Sequence, residues 1–118
     1  MARVSLSYNG VELREYELKD ARLSIGRRSE NDIQLDDPTV SGRHAVLIPE
    51  PNPYLDGYVD VTLEDLDSTN GTQVNGNPVS RQRLHHGDII RIGHHQFLFD
   101  AGEGFAADRT AVFLPGGE

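Results

Sequence analysis

The fold is decided near the start of the chain, by residues 4–18, VSLSYNGVELREYEL. Apolar and polar residues alternate before and after Asn9-Gly10, which is the pattern of a β-strand with one buried face. Asn-Gly favours the type I′ turn that joins two adjacent antiparallel strands. The stretch therefore predicts a β-hairpin, and no helical apolar period competes with it.

Short strands with turn residues between them continue along the rest of the chain. They are predicted at residues 22–25, 33–35, 45–48, 58–66, 72–74, 88–92 and 96–99. Gly, Pro, Asn or Asp bounds each of them, and their starts lie roughly ten residues apart. Residues 50–57 and the segment around Arg81 and Arg83 are predicted as loops. Many short strands of this kind predict an all-β domain built as a β-sandwich.

Length and composition limit the chain to a few classes of protein. Its 118 residues fit one domain. Its 19 acidic residues outnumber its 11 basic ones, giving a net charge of -8 that disfavours nucleic acid and anionic membranes as partners. The sequence has no cysteine, no apolar run approaching ~18 residues and no signal-peptide pattern at its start. These features favour a soluble protein of the cytoplasm, without disulfides or thiolate metal sites.

Polar residues able to bind an anion are concentrated in three loops. The loops lie within residues 24–33, 36–44 and 65–76. They offer guanidinium, hydroxyl and amide donors, which are the groups that a dianionic phosphoryl group requires. Arg27 follows Gly26 at a predicted strand end, where its planar fork can reach a phosphate. No general base stands beside a nucleophile, so these loops predict a binding site and not a hydrolase.

An ordered set of short motifs covers most of the chain. The motifs are Gly26-Arg27, Asn31-Asp32-Ile33, Val40-Ser41-Gly42-Arg43-His44, Ser68-Thr69-Asn70-Gly71-Thr72, Val74-Asn75-Gly76, Gly87-Asp88 and Ile92-Gly93. Each motif alone is a weak signal, but in this order and spacing the set resembles a forkhead-associated (FHA) domain from about Leu6 to Phe99. The resemblance assigns residues 1–100 to an FHA domain and leaves residues 101–118 as a C-terminal tail or linker.

The resemblance implies both a fold and a function. The fold is a β-sandwich of about eleven strands with its recognition loops clustered at one end. The function is the binding of a threonine-phosphorylated partner protein, as a bacterial signalling adaptor without enzymatic activity or cofactor. The family prefers phosphothreonine to phosphoserine because the additional methyl group fills a small pocket.

The resemblance also implies roles for individual residues. The predicted phosphopeptide-binding residues are Arg27, Ser41, Gly42, Arg43, Thr69 and Asn70. In the first group Arg27, Ser41 and Thr69 contact the phosphate, and Asn70 holds the peptide backbone. The predicted secondary peptide contacts are Arg28, Ser68 and Asn75. The residues predicted to support the loops are Gly26, His44 and Gly71. Asn75-Gly76 is also predicted as a hairpin turn.

Position 42 departs from the family pattern, because the family often carries a basic residue or asparagine there. Gly42 offers only its backbone N–H, although Arg28 or Arg43 could compensate. A hydrogen bond to a charged group is worth about 1.5–3 kcal/mol, so its loss predicts an affinity about ten- to a hundredfold lower. The alternative is a phosphate-independent FHA-like scaffold, in which the weakened site no longer binds phosphate.

Two histidine pairs raise the alternative of a metal enzyme. His85-His86 and His94-His95 flank a predicted strand, and a zinc site would need a third ligand such as Asp88. Neighbouring residues on a strand face opposite sides, so at most one histidine of each pair could contribute. We therefore predict solvated histidines at strand ends and no metal site.

The predicted tail carries one further hypothesis. Thr110 lies in residues 108–113, DRTAVF, with Phe113 at the third position after it, which FHA domains often read. If a kinase modified Thr110, the tail could dock into a neighbouring molecule and cause head-to-tail self-association. The alternative is an ordinary polar residue of a linker.

Overall fold

The computed structural model describes residues 2–19, 21–55 and 58–102. Within these ranges the chain forms eleven β-strands and no helix, which confirms the predicted all-β fold. The strands are β1 (Arg3–Tyr8), β2 (Val11–Glu17), β3 (Leu23–Gly26), β4 (Ile33–Gln34), β5 (Ala45–Pro51), β6 (Val59–Asp65), β7 (Thr72–Val74), β8 (Asn77–Val79), β9 (Arg81–Arg83), β10 (Ile89–Ile92) and β11 (His95–Asp100).

The strands form the two sheets of a sandwich. One sheet has six strands in the order β2-β1-β11-β10-β7-β8, and the other has five in the order β4-β3-β5-β6-β9. The β3–β4 pair is parallel, whereas the other pairs are antiparallel. Asn9-Gly10 joins β1 to β2 with φ angles of 54° and 79°, which confirms the predicted hairpin.

Alternating apolar residues fill the space between the two sheets. In β1, Val4 and Leu6 are buried and lie opposite Phe99 and Phe97 of β11. Leu47 contributes to the same core from the five-stranded sheet, and its side chain is inaccessible to solvent. Because the core fixes the strands, the loops at their ends start from rigid positions.

Three loops meet at one end of the sandwich, as the FHA resemblance implies. These recognition loops are residues 27–32, 35–44 and 66–71. The ends of β3 and β6 lie beside the start of β5, because Ala45 pairs with both Ile25 and Asp65. The third loop leads into β7, where Thr72 pairs with Ile92. This pairing brings the β10–β11 turn to the same end of the molecule.

Two strands lie where the sequence predicted none. The structure places Arg81 and Arg83 in β9, so their prediction as loop residues is wrong. Arg81 forms an ion pair with Glu64 at 3.2 Å, and Arg83 forms one with Asp60 at 3.0 Å, across the β6–β9 pair. β9 is an edge strand of polar residues, so it has no apolar alternation that could reveal it. The equally short β8 follows directly after the Asn75-Gly76 turn.

The predicted loop at residues 50–57 begins too early, because β5 continues to Pro51. Beyond Leu47 only β6 pairs with β5, since the β3 pairing ends at that residue. Proline fits an edge position of this kind, because there is no strand on the open side to which an N–H group would need to donate. Pro49 and Pro51 therefore mark the edge part of a strand and not its end.

The structure describes only the first part of the predicted tail. Ala101 packs against the core in a partly buried position, and Gly102 follows it. Residues 103–118, including Thr110, lie outside the described residues, so the domain boundary and the self-association hypothesis stay predictions. Within the described part of the chain, no helix has the length and apolar character needed to cross a membrane.

Candidate functional site

The first recognition loop is fixed against the second by backbone hydrogen bonds. Arg27 N–H donates to the Ser41 carbonyl at 2.9 Å, and Arg28 N–H donates to the Gly42 carbonyl at 3.2 Å. The side-chain amide of Asn31 donates to the carbonyl oxygens of Arg28 at 2.9 Å and Gly42 at 2.7 Å. The two arginine side chains therefore start from a backbone that is held on both sides.

Gly26 permits the close approach of these two loops. A Cβ atom at this position would lie 2.3 Å from the Gly42 carbonyl oxygen and 2.7 Å from the Asn31 amide nitrogen. The first of these neighbours is backbone and could not move without breaking the Arg28 hydrogen bond. A side chain at position 26 is thus excluded by space and not by backbone conformation.

The second and third recognition loops are joined through Ser41. Thr69 N–H donates to Ser41 Oγ at 3.0 Å, and the Asn70 side-chain amide donates to the Thr39 carbonyl at 2.8 Å. Ser41 Oγ accepts in its bond, so its own proton remains available to donate. Among the described residues, neither this proton nor the Thr69 hydroxyl has a partner. The structure thus brings two free hydroxyl donors together.

His44 lies beneath the second and third recognition loops, and its side chain is fully buried. Its Nδ1 accepts a hydrogen bond from Ser41 N–H at 3.0 Å, and its Nε2 lies 2.9 Å from the Gly71 carbonyl oxygen. Because Nδ1 must accept, Nε2 carries the proton and donates to Gly71. A ring in this tautomer connects the second recognition loop to the third.

Asp65 organises the third recognition loop from the end of β6. Its Oδ1 accepts hydrogen bonds from the Ser68 hydroxyl at 2.5 Å and the Thr72 hydroxyl at 2.7 Å, and its Oδ2 accepts one from Ser68 N–H at 3.0 Å. Gly71 N–H in turn donates to Ser68 Oγ at 3.0 Å. The Ser68 hydroxyl is therefore occupied as donor and as acceptor within its own loop. Gly71 has a φ of 84°, which glycine adopts without strain.

Asp37 holds the second recognition loop to the β10–β11 turn. One carboxylate oxygen accepts from the N–H and the hydroxyl of Thr39 at 2.9 and 2.7 Å, and the other accepts from His94 N–H at 3.0 Å and lies 3.1 Å from His94 Nδ1. Gly93 permits this contact, because a Cβ there would lie 2.7 Å from Thr39 Oγ1 and 2.9 Å from Asp37. Asp37 is not among the site residues predicted from the sequence, although Asp37-Pro38-Thr39 is a pattern typical of a turn closed by an aspartate side chain.

The histidines do not lie as the sequence analysis predicted. His94 belongs to the turn and not to β11, so strand alternation does not separate it from His95. Both rings face Asp37, at 3.1 Å and 3.4 Å, and the His95 side chain is only 12% exposed. The prediction of solvated strand-end histidines is therefore wrong for His95. The His85 and His86 rings lie near different carboxylates, and no cluster of three or more potential metal ligands occurs among residues 2–19, 21–55 and 58–102.

Asn75 is not brought to the recognition loops. It follows β7 at the end opposite Thr72, in a turn with φ angles of 52° at Asn75 and 85° at Gly76, which confirms the predicted hairpin turn. Its side-chain amide donates to Asp88 at 3.0 Å, and its side-chain oxygen accepts from Ile89 N–H at 3.0 Å. The side chain of Asn75 thus fastens the turn to the start of β10.

The arginines at the recognition loops are not neutralised by carboxylates. In the described part of the chain, Arg3, Arg81 and Arg83 form ion pairs, whereas the exposed residues Arg27, Arg28 and Arg43 form none. An acidic protein of net charge -8 therefore carries three arginines without ion pairs in the recognition loops that also hold the free hydroxyl donors. This combination is suited to binding an oxyanion.

The carboxylates of Asp37 and Asp65 predict how stability depends on pH. Burial alone would raise the pKa of Asp37 and Asp65, but hydrogen bonds from Thr39 and His94, and from Ser68 and Thr72, outweigh it and hold both pKa values below the ordinary 3.8. Hydrogen bonds to the ionised form add stability above the ordinary pKa, and this contribution is lost as the pH falls below it. We expect the urea midpoint to decline below about pH 4.

The Asp37→Asn variant tests this origin of acid sensitivity. The amide NH₂ that the substitution introduces cannot accept a hydrogen bond from Thr39 or His94, so the substitution should lower the free energy of unfolding at neutral pH by about 2–4 kcal/mol. It should also make the decline of the urea midpoint below about pH 4 less steep. Asp36→Asn is the matched control, because Asp36 is exposed next to it and should change stability by less than about 0.5 kcal/mol. Equal stability of the two variants at neutral pH would contradict the role of Asp37.

A β-sandwich in which three loops at one end are suited to binding an oxyanion is typical of a class of recognition domains. Comparison with known proteins identifies that class. The family model for the FHA domain matches residues 23–93. The FHA domain-containing protein FhaA of Mycobacterium tuberculosis is 38% identical over 95 residues, which cover 80% of this chain and 17% of FhaA. The chain therefore belongs to the FHA domain family. It spans a small part of FhaA and about half, 48%, of the Mycobacterium tuberculosis regulator GarA.

Solved FHA structures agree with this assignment. An FHA domain solved in a study of phosphothreonine-dependent FHA domain interactions superimposes with a TM-score of 0.69 at 34% identity, covering 84% of this chain and 94% of that chain. Mycobacterium tuberculosis EmbR in complex with a low-affinity phosphopeptide superimposes with a TM-score of 0.68 at 35% identity, covering 84% of this chain and 24% of EmbR.

Proposed function

We propose that this FHA domain binds a phosphothreonine segment of a partner protein and acts as an adaptor in cytoplasmic signalling. It recruits the partner by binding and catalyses no reaction. The observation that carries the proposal is the set of unsatisfied donors at the recognition loops, where Arg27, Ser41 and Thr69 have free side-chain donors. All three residues are at least partly exposed, so water can satisfy these donors in the free protein, and a phosphate group can replace that water with charge-assisted hydrogen bonds.

Each of these residues has a distinct role in the proposed complex. Arg27 supplies the charge and a planar pair of N–H donors to two phosphate oxygens. Ser41 and Thr69 each donate a hydroxyl proton, and the Ser41 hydroxyl is oriented because it accepts from Thr69 N–H at 3.0 Å. Asn70 is held by its bond to Thr39, which leaves its side-chain oxygen to accept from the backbone of the bound peptide. Arg43 adds positive charge nearby.

The related FHA structures support the proposal by analogy. One was solved for phosphothreonine-dependent interactions, and EmbR was solved with a phosphopeptide bound. Both are more than 30% identical to this chain, and each covers 84% of it. A phosphopeptide ligand is thus the simplest completion of the donor set in this chain.

Calorimetric titration with peptide pools is the direct test. A degenerate phosphothreonine pool should bind with micromolar affinity, whereas its unphosphorylated counterpart should not bind. A phosphoserine pool should bind more weakly, because it lacks the methyl group that distinguishes the two residues. Binding of the phosphorylated and unphosphorylated pools with equal affinity would favour the phosphate-independent scaffold. No binding of either pool would also contradict the proposal.

A further inference from the structure

Glycine at position 42 is not required by the backbone. The glycines with positive φ are found at other positions, and Gly42 has a φ that any residue can adopt. It lies in a bend beside the first recognition loop, where its carbonyl group accepts the Arg28 N–H. Glycine at position 42 is therefore to be explained by the atoms that surround it and not by its backbone conformation.

The side chain of Arg28 occupies that space. A Cβ atom on Gly42 would lie 2.7 Å from Arg28 Nε and 3.2 Å from each of Arg28 Cγ and Cδ. The Arg28 N–H donates to the Gly42 carbonyl at 3.2 Å, and the Asn31 side-chain amide donates to the carbonyl groups of both Arg28 and Gly42. These bonds fix the backbone of Arg28. The Arg28 side chain thus lies over Gly42, which directly follows Ser41 and its free hydroxyl in the chain.

We propose that Arg28 supplies the second guanidinium of the phosphate site, in place of the side chain that is missing at position 42. The inference rests on the proposed function and assigns a further phosphate-binding residue to it. Arg28 is exposed and forms no ion pair with any described carboxylate, so its charge is available. Gly42 and Arg28 act as a pair, since the glycine provides the room in which the arginine lies.

A double-mutant cycle tests this pairing on one phosphothreonine peptide selected from the degenerate pool. Arg28→Ala should weaken binding about tenfold, the typical effect of losing one charge-assisted hydrogen bond. Gly42→Ala should also weaken binding, because its methyl group displaces the Arg28 side chain. In the Arg28→Ala background, Gly42→Ala should have no further effect, since nothing remains to be displaced. The cycle is thus expected to be strongly non-additive.

A rescue variant and a charge-matched control complete the experiment. Gly42→Asn introduced into Arg28→Ala should recover most of the lost affinity, because it returns a polar side chain to position 42. Arg22→Ala removes the same charge from an exposed position before β3, at the end opposite Gly26, and should change affinity less than about twofold. Thermal unfolding of all variants should be unchanged, because Arg28 is exposed and a flexible side chain can yield to a methyl group.

The possible results separate this inference from the proposed function. If the wild-type protein binds the peptide and Arg28→Ala binds as well as Arg22→Ala, the inference is overturned and the proposed function stands. Additive effects of Arg28→Ala and Gly42→Ala would also overturn the pairing. If the wild-type protein shows no phosphate-dependent binding, both the proposed function and the inference fail.

Discussion

Arg27→Ala is expected to weaken the binding of a phosphothreonine peptide by about thirty- to a thousandfold. Removing one side of a buried charge pair costs about 2–4 kcal/mol, which corresponds to a loss of about thirty- to a thousandfold in affinity. Arg27 has no carboxylate partner among the described residues, so the substitution should not change the free energy of unfolding. Calorimetric titration and thermal unfolding of the same preparation measure the two quantities.

Arg91→Ala is the control for the loss of net charge. Arg91 is exposed in β10 and forms no ion pair with a described residue, so its removal changes the charge by the same amount without touching the recognition loops. Its affinity should stay within about twofold of wild type. Retention of phosphate-dependent binding by Arg27→Ala, at a level similar to Arg91→Ala, would show that the phosphate lies elsewhere.

His44→Ala is expected to give the largest loss of stability of any single substitution at the recognition loops. The ring is fully buried, so its removal leaves a cavity, and it also leaves Ser41 N–H and the Gly71 carbonyl without their partners. Together these effects should lower the free energy of unfolding by about 3–5 kcal/mol. The second and third recognition loops should lose the connection that the ring provides and keep only those from Thr69 to Ser41 and from Asn70 to Thr39, so phosphopeptide affinity should fall as well.

Urea unfolding compared with His85→Ala measures this effect. The His85 side chain is 71% exposed, so the same substitution there should cost less than about 0.5 kcal/mol. Amide hydrogen exchange should show faster exchange at Ser41 in the His44 variant. A cost below about 1 kcal/mol for His44→Ala would show that the loops are held by their other contacts.

The fold could be predicted because its signals are local. The alternation around Asn9-Gly10 predicts the β1–β2 hairpin, and the structure has the expected turn with positive φ at both residues. β9 could not be predicted in the same way, since its residues are polar and its ion pairs with β6 join residues 17 and 23 positions apart. The end of β5 was misjudged because Pro49 is compatible with a strand only where one neighbour is missing, which is a property of the sheet.

The site could be predicted only for the residues that resemble a motif. The sequence predicts anion binding by three loops, and the structure brings Arg27, Ser41 and Thr69 of these loops to one end. The turn closed by Asp37 has a local signal in Asp37-Pro38-Thr39, but its bond to His94 could not be foreseen, because His94 lies 57 residues further along the chain. The position of Arg28 across Gly42 is likewise a contact between two loops and has no local signal.

The bond from Asp37 to His94, for which Gly93 leaves room, has a consequence for the kinetics of recognition. It fastens a loop that would otherwise be free to sample many conformations, so most of the entropy of ordering is lost during folding and not during binding. A partner should therefore meet a site that already has its bound shape, and loop backbones should differ by less than about 1 Å between the free and occupied states. Differences in affinity among phosphopeptides should then appear mainly in their dissociation rates.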